Sequence, residues 1–426
     1  MQRVALASFV GSAIEYYDFY IYGTAAALVF PKVFFPHLGP TMAVLASMAT
    51  FAAAFVSRPV GAAFFGHFGD RLGRKSTLIA TLLIMGLSTV AVGLVPGVAT
   101  IGIAAPLILL SLRLLQGFAV GGEWAGSALL AAENAPAEAR GRYGMYTQMG
   151  VGSGLVMSSL LFLAVNQTIG ENSQAFLDWG WRIPFLFSAV LIAIALYVRL
   201  NVTETPVFAA QKARATTSHD TTAVTPLAAL FATQRREVIL AAGSMIGFFT
   251  LGYMANAYFM SYAHTHVGFS PTLILVVGLV GGVVVVVFNM LSAVLSDTFG
   301  RRRVIMVAFA VGAPWCCVVL PLIDTGNAAL FALAMVVTYA IAGTAYGPMA
   351  AFIPEIFGTR YRYSGTGLSL NLAGLVGGAV PTIAAAPLLA AWGVPAIGIM
   401  MATVVLVSLV STTLLPETKG VALQTE

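Results

Sequence analysis

Charged residues are scarce in this chain of 426 residues, because Asp, Glu, Lys and Arg make up only 9% of it, against about 25% in an ordinary soluble domain. This scarcity excludes most soluble enzymes. Cysteine is nearly absent, and the adjacent Cys316 and Cys317 cannot easily reach disulfide geometry, so we interpret both as buried packing residues. A phosphate-binding glycine loop with its Lys and Ser or Thr is also missing, which argues against an ATP-driven pump.

Apolar residues are abundant instead, at 59% of the chain. A transmembrane helix needs about 20 of them, so twelve helices use nearly the whole sequence, and an all-α membrane protein is predicted. A polar stretch over 201–237 reads as a linker between a first half, 1–200, and a second half, 238–426. The predicted helices lie near 4–30, 42–68, 77–95, 103–132, 143–165 and 183–200, and near 238–262, 271–295, 304–323, 328–353, 365–390 and 395–415.

The basic residues lie almost entirely on one side of these helices. That side holds 17 of the 21 Lys and Arg residues, which predicts that both termini are cytoplasmic. The net charge of +5 is therefore explained by the orientation of the chain in the membrane, and no nucleic-acid partner is expected.

Two loop patterns recur at matching places in the two halves. The segment 69–75, with Asp70 and Arg74, returns as 296–302, with Asp297 and Arg301. Glu133 with its two following arginines returns as Glu355 with two more. Duplicated halves of this kind are typical of alternating-access transporters.

The loop 66–75 also resembles the major facilitator superfamily pattern Gly-x-x-x-Asp-Arg-x-Gly-Arg-Lys. The resemblance implies two six-helix bundles, and it implies that the loop latches one face closed through Gly66, Asp70, Gly73 and Arg74. Within the superfamily the chain looks like the metabolite:proton symporters, the group of the shikimate, alpha-ketoglutarate and proline/betaine permeases, and most like the shikimate members. The long C-terminal coiled coil of the osmosensing branch is missing, so osmosensing of that kind is not expected. The segments that carry this resemblance are 15–20, 58–61, 116–124, 179–185 and 361–365.

Ionisable residues within the predicted helices mark a pathway or a site, because they are costly in hydrocarbon. Glu15, Asp18 and Tyr22 share one face of the first helix, and we expect them to face a central cavity at the depth of Arg113. We hypothesise that Asp18 or Glu15 carries the coupling proton, while Arg113 alternately neutralises that carboxylate and binds an anionic group of the substrate. The alternative is a set of permanently paired structural charges.

Arg58 and Glu123 form a second predicted pair, nearer the cytoplasm. Glu123 joins the proton-coupling candidates, and Arg58 and Gln116 join the substrate-binding set. The core of the second half lacks ionisable residues, and its candidate substrate groups are neutral, although each of them also fits a packing role. These groups are Tyr253, Asn256, Tyr258, Tyr339, Tyr346 and Asn371.

The cytoplasmic loops are expected to form a latch in which Asp297 and Arg301 pair with helix ends and with Glu133 or Glu355. Simple positive-inside topology is the alternative for these charges. His264 and His266 share no metal-ligand spacing with other residues, so no metal is expected.

We therefore predict a monomeric, proton-coupled symporter of the bacterial cytoplasmic membrane that imports a small organic acid or zwitterion. The proton is the coupling ion, and no cofactor is expected. An exporting antiporter and a non-transporting receptor or membrane enzyme remain open. Shikimate-like hydroxy acids, dicarboxylates, aromatic acids and betaines all fit as substrates.

Overall fold

A computed structural model of the chain describes residues 2–72, 74–121, 128–129, 135–136, 139–170, 173–201, 226–358 and 362–421. Within these ranges all the regular structure is helical and no strand occurs. Among the described residues, helices overlap each segment that the hydropathy predicted, although most of 122–132 in the fourth segment lies outside them. In the first half they are α1 Gln2–Leu28, α2 Pro40–Leu72, α3 Arg74–Leu94, α4 Ala104–Val120, α5 Arg140–Ile169 and α6 Arg182–Asn201.

The second half contains helices interrupted by π-helical turns. The first of them, α7, runs as Pro226–Tyr253 and continues through π-segments at Met254–Phe259 and Ala263–Val267. It begins inside the stretch predicted as linker, and Gln234 has non-helical backbone angles there. The division of the chain at 201–237 stays a prediction, because 202–225 lie outside the described residues. The remaining helices are α8 Pro271–Phe299, α9 Arg301–Asp324, α10 Ala328–Tyr346 with Met349–Ile356, α11 Arg362–Ala373 with Gly374–Ala379 and Val380–Trp392, and α12 Val394–Leu414.

Local sequence sets several helix boundaries. Ser270 caps α8 by accepting from the Leu273 amide at 3.3 Å, directly before Pro271. Gly300 separates α8 from α9 with a φ of +99°, which an L-side chain rarely adopts. Such caps let consecutive helices reverse direction within a very short loop.

The helices are long enough and apolar enough for a bilayer. Over the part of the chain that the structure describes, nine helical stretches meet both requirements, and Ile79–Leu94 and Ala104–Val120 are shorter apolar helices. Many large apolar side chains, such as Val60, Leu87 and Ile399, point outward with more than half of their surface exposed. Lipid is the environment that such a surface fits.

The two halves pack by one scheme. In the first half α1 contacts α5, α2 contacts α4 and α3 contacts α6, and in the second α7 contacts α11, α8 contacts α10 and α9 contacts α12. The halves meet where α5 lies against α8, where α2 lies against α11 and where α1 lies against α7. The first two of these interfaces are equivalent under the repeat.

The α5–α8 contact is the most extensive in the molecule. Gly152 lies so close to α8 that an added Cβ would stand 2.5 Å from the Gly282 carbonyl oxygen, and the reverse distance is 2.9 Å. The backbones touch without intervening side chains, as small residues allow in membrane helices.

Candidate functional site

Asp18 lies inside the first half, 2% exposed, on the inner face of α1. Ser188 of α6 donates to its Oδ1 at 2.7 Å, and Thr89 of α3 donates to its Oδ2 at 2.9 Å. Sequence periodicity placed Asp18 facing a central cavity between the halves. These two hydrogen bonds turn the carboxylate toward α3 and α6, because hydroxyl donors are a means of satisfying a buried carboxylate.

A chain of hydrogen bonds links Asp18 to Arg113. The Gln116 amide donates to the Thr89 hydroxyl at 2.8 Å, and Arg113 Nη1 donates to Gln116 Oε1 at 3.1 Å. Arg113 is 1% exposed. Thr89 and Gln116 therefore connect the acid and the base that the sequence placed at a similar depth on α1 and α4.

Aromatic rings surround the Arg113 guanidinium. Its central carbon lies 4.1 Å from the centre of the Tyr22 ring and 4.5 Å from that of Phe19. Such rings attract a cation while keeping water out. The Nη2 of Arg113 is buried without a hydrogen-bond partner in the structure, so the fork retains donors for a further acceptor.

The charged candidates of the first half line one small cavity. Glu15, Asp18, Arg58, Arg113 and Gln116 all contribute to its wall, and its volume is about 10 Å³. That volume suits about one water molecule. The structure thus brings together four of the charged residues chosen from the sequence, and it leaves no room there for a metabolite in this conformation.

Arg58 connects this cavity to the second half. Its guanidinium lies 4.7 Å from the centre of the Phe55 ring and 5.0 Å from that of Phe19. The Tyr253 ring of α7 packs on the same Phe55, with ring centres 5.0 Å apart. The predicted partner Glu123 lies outside the described residues, so that pairing stays a prediction.

The polar candidates of the second half do not form a single group. The Asn256 amide is fully buried with neither its nitrogen nor its oxygen bonded, and it lies against Gly23 of α1. Asn371 donates to the Gly121 carbonyl oxygen at 2.9 Å across the two halves. Its donor is thus engaged by backbone.

The tyrosines of the second half separate in the same way. Tyr346 shares a 2.9 Å hydrogen bond with the Tyr16 hydroxyl of α1, which places it at the contact between halves. Tyr339 packs against Gly281 of α8, and Tyr258 donates to the Ala385 carbonyl oxygen at 3.4 Å.

A second cluster of charges lies at the end of the bundle that carries the basic loops, called here the basic end. Arg301 bonds the Asp297 carboxylate at 2.5 Å and reaches Glu355 at 3.7 Å, and Arg140 lies 3.5 Å from the same Glu355. The backbone amide of Gly141 donates to Asp297 at 3.0 Å. The structure therefore brings three predicted latch residues of the second half together, and Arg140 and Gly141 join them from the first half.

Sequence reasoning missed several members of this basic-end network. Arg140 was counted for topology and for the internal repeat but was not predicted as a latch residue, although the repeated pattern of a Glu followed by two arginines was a usable signal. Glu417 accepts from the Arg301 and Arg302 amides at 2.9 and 3.2 Å, and Thr418 donates to Glu355 at 2.6 Å. No periodicity indicated that the segment after α12 returns to this end.

Three of the other predicted latch residues lie within the described ranges. Gly66 and Asp70 lie in the last turns of α2, and Arg74 begins α3. Gly73 and Glu133 lie outside the described residues.

Comparison with known proteins identifies the family to which this architecture belongs. The family model of the Major Facilitator Superfamily matches residues 8–382. The inner membrane metabolite transport protein YhjE of Escherichia coli K12 is 41% identical over 432 residues, covering 98% of this chain and 94% of YhjE. The shikimate transporter of the same organism is 38% identical over 390 residues, covering 90% of this chain and 87% of the transporter.

A solved structure shares the fold. The xylose transporter XylE from E. coli, in a partially occluded inward open conformation, superposes with a TM-score of 0.74 at 18% identity, covering 99% of both chains. These relatives are transport proteins rather than enzymes. The chain therefore belongs to the major facilitator superfamily, as a multi-pass transport protein of the cytoplasmic membrane.

Proposed function

We propose that this protein imports a small organic acid or zwitterion together with a proton. The observation that supports the proposal is the hydrogen-bonded chain from Asp18 through Thr89 and Gln116 to Arg113, inside a cavity with room for about one water. It couples a group that can bind a proton to a group that can bind an anion.

The chain of contacts gives the coupling a physical route. Protonated Asp18 no longer attracts hydroxyl donors as strongly, so Thr89 is free to turn and Gln116 to shift. Arg113 then loses a nearby negative charge and presents its fork to a substrate carboxylate, which it suits geometrically. A proton at Asp18 thereby raises affinity for an anionic solute, and each ligand favours the binding of the other.

The second half supplies the remaining part of the site. Asn256 has an unsatisfied buried amide, which is costly unless a ligand bonds it. The Tyr253 ring packs on Phe19 and Phe55 of the first half, beside Arg58, so rocking of the bundles remakes this contact. We infer that substrate bridges the charged first half and the neutral second half, and that the monomer is the transporting unit.

Shikimate is the first solute to test, since a relative 38% identical carries that name. Purified protein in liposomes with an alkaline interior is expected to concentrate labelled shikimate, and collapsing the pH gradient should abolish the accumulation. Alpha-ketoglutarate and betaine form the comparison panel. Accumulation that does not depend on the pH gradient would refute proton symport. Export of solute from loaded vesicles, driven by protons that enter them, would refute it as well.

Asp18→Asn tests the proposed coupling site. The variant is expected to equilibrate solute down its gradient and to lose uphill accumulation, because an amide cannot exchange a proton at this pH range. Asp178→Asn is the matched control, since Asp178 is exposed on the far side of the bundle and should leave accumulation unchanged. Uphill uptake by Asp18→Asn would exclude Asp18 as the proton carrier.

A further inference from the structure

A second cavity lies at the end of the bundle opposite the basic end, and we call it the outer cavity. It holds about 310 Å³, within the range of roughly 300–1,000 Å³ for small-molecule sites. Its walls come from the start of α2, the last turns of α7 and the end of α11. It therefore lies between the halves, on the side from which an imported solute arrives.

The α7 wall is an aromatic column. Tyr262 stacks on His266 with ring centres 4.7 Å apart and planes 14° apart, and Tyr258 stacks on Tyr262 at 6.1 Å. The column is anchored, because the Tyr262 hydroxyl donates to Asp324 of α9 at 2.5 Å. A flat or cyclic ligand body packs well against such a rigid surface.

Hydroxyl groups supply the polar part of the wall. Ser261 lines the cavity, is fully buried and has a hydroxyl without a hydrogen-bond partner in the structure. Thr41 on α2 and Thr265 on α7 face the same cavity. A buried hydroxyl left unbonded costs free energy, so a ligand that bonds Ser261 gains an interaction the empty protein lacks.

We propose that the outer cavity is a second binding site, which takes a cyclic hydroxy acid before it reaches the Arg113 cavity. The ring of this ligand packs on the tyrosine column, its hydroxyls bond Ser261 and the threonines, and the His266 imidazole contacts its carboxylate. The choice of ligand class rests on the proposed function. In this conformation the basic end is bridged and the Arg113 cavity fits about one water, so the outer cavity is the larger of the two spaces.

The helix that lines the outer cavity also reaches the inner site. Along α7, Ser261 is followed toward the centre by Asn256 and then Tyr253, whose ring packs on Phe19 and Phe55 beside Arg58. The π-segments Met254–Phe259 and Ala263–Val267 interrupt the regular helix there, and such wide turns occur at functional sites. Occupation of the outer cavity thus acts on the same element that closes over Arg113.

The test uses a cysteine reporter in the full-length protein. With Cys316 and Cys317 replaced by serine, Thr41→Cys places a thiol on the α2 wall, and a membrane-impermeant maleimide labels it from outside. Shikimate is expected to slow labelling. Thr325→Cys is the control, because Thr325 is exposed directly after α9, outside the cavity. Its rate of labelling should not change when shikimate is added.

An Arg113→Gln background separates the outer cavity from the inner site. Protection of Thr41→Cys should persist there although uptake is lost, and Ser261→Ala should raise the half-protecting concentration about fivefold. The proposal is overturned if shikimate no longer protects Thr41→Cys in the Arg113→Gln background. It is also overturned if cyclohexene carboxylate, which lacks the hydroxyls, protects the thiol as well as shikimate does. Uptake is scored separately: protection without transport of any solute leaves the outer site standing and refutes the proposed function.

Discussion

Thr89 is the residue on which the inner site depends, although the sequence does not mark it. Its hydroxyl accepts from Gln116 and donates to Asp18, so it joins the amide to the carboxylate. Neutral hydroxyls like this one are easily taken for packing residues in a membrane helix. Their role becomes visible only when both partners are known.

Replacing Thr89 by valine keeps the shape and removes the link. The Gln116 amide then lacks an acceptor and Asp18 loses a donor, at a cost of about 1–3 kcal/mol for a buried unsatisfied group. We expect a lower thermal unfolding midpoint and a marked loss of gradient-driven uptake, both restored by Thr89→Ser. Thr403→Val is the control, since Thr403 is exposed on α12. If Thr89→Val transports normally, the chain of hydrogen bonds is not the coupling route.

At the scale of elements, close backbone approach decides which helices form the contact between halves. The α5–α8 pair is held at the distance that Gly152 and Gly282 permit. A side chain at either position requires the helices to separate, and the rest of the interface would have to follow. In the proposed transport cycle, rocking of one half on the other would depend on this contact.

Gly152→Ala tests the interface directly. Its Cβ would stand 2.5 Å from a carbonyl oxygen, and overpacking of this kind costs about 1–3 kcal/mol. We expect slower uptake and a lower unfolding midpoint. Gly252→Ala is the matched control, because an added Cβ there meets no atom within 4 Å, and it should leave both readouts unchanged. An equal loss in the two variants would show that the close approach at Gly152 does not account for the change.

On the scale of the whole molecule, the two charge clusters lie in different environments. The inner cluster is enclosed by aromatic rings, whereas the basic-end network joins α5, α8, α9 and α10 with the segment after α12. Glu355 lies at its centre, bonded by Thr418 and close to Arg140 and Arg301. We infer that this network acts as a latch that closes the basic end.

Neutralising Glu355 should open that end. In Glu355→Gln the buried Arg140 loses this counter-charge and Arg301 keeps only that of Asp297, and removing one partner of a buried pair is strongly destabilising. A thiol at Thr147, buried on α5, should then react at least about tenfold faster with a maleimide applied at the basic end, since 1.4 kcal/mol is tenfold. Glu237→Gln, at the same end outside this network, should not change the rate. An unchanged rate in Glu355→Gln would show that the network serves topology only.

Composition and periodicity determined the class of this protein. Apolar runs of membrane length fixed where helices form, because backbone in lipid must bond to itself, and the distribution of arginines predicted which end is cytoplasmic. The repeated loops indicated two related halves. The buried charges could also be identified as site candidates from the sequence. Glu15, Asp18, Arg58 and Arg113 are costly in hydrocarbon whichever way their side chains point.

Only the tertiary structure decided what those charges meet. Helical spacing shows that Glu15 and Asp18 share a face but not which neighbour that face meets, and the hydroxyls of Thr89 and Ser188 come from helices far along the chain. The same holds for Glu417 and Thr418, which return to the basic end after α12, and for Ser261 in the outer cavity. Long-range contacts depend on how helices pack, and packing is a property of surfaces that no single segment carries.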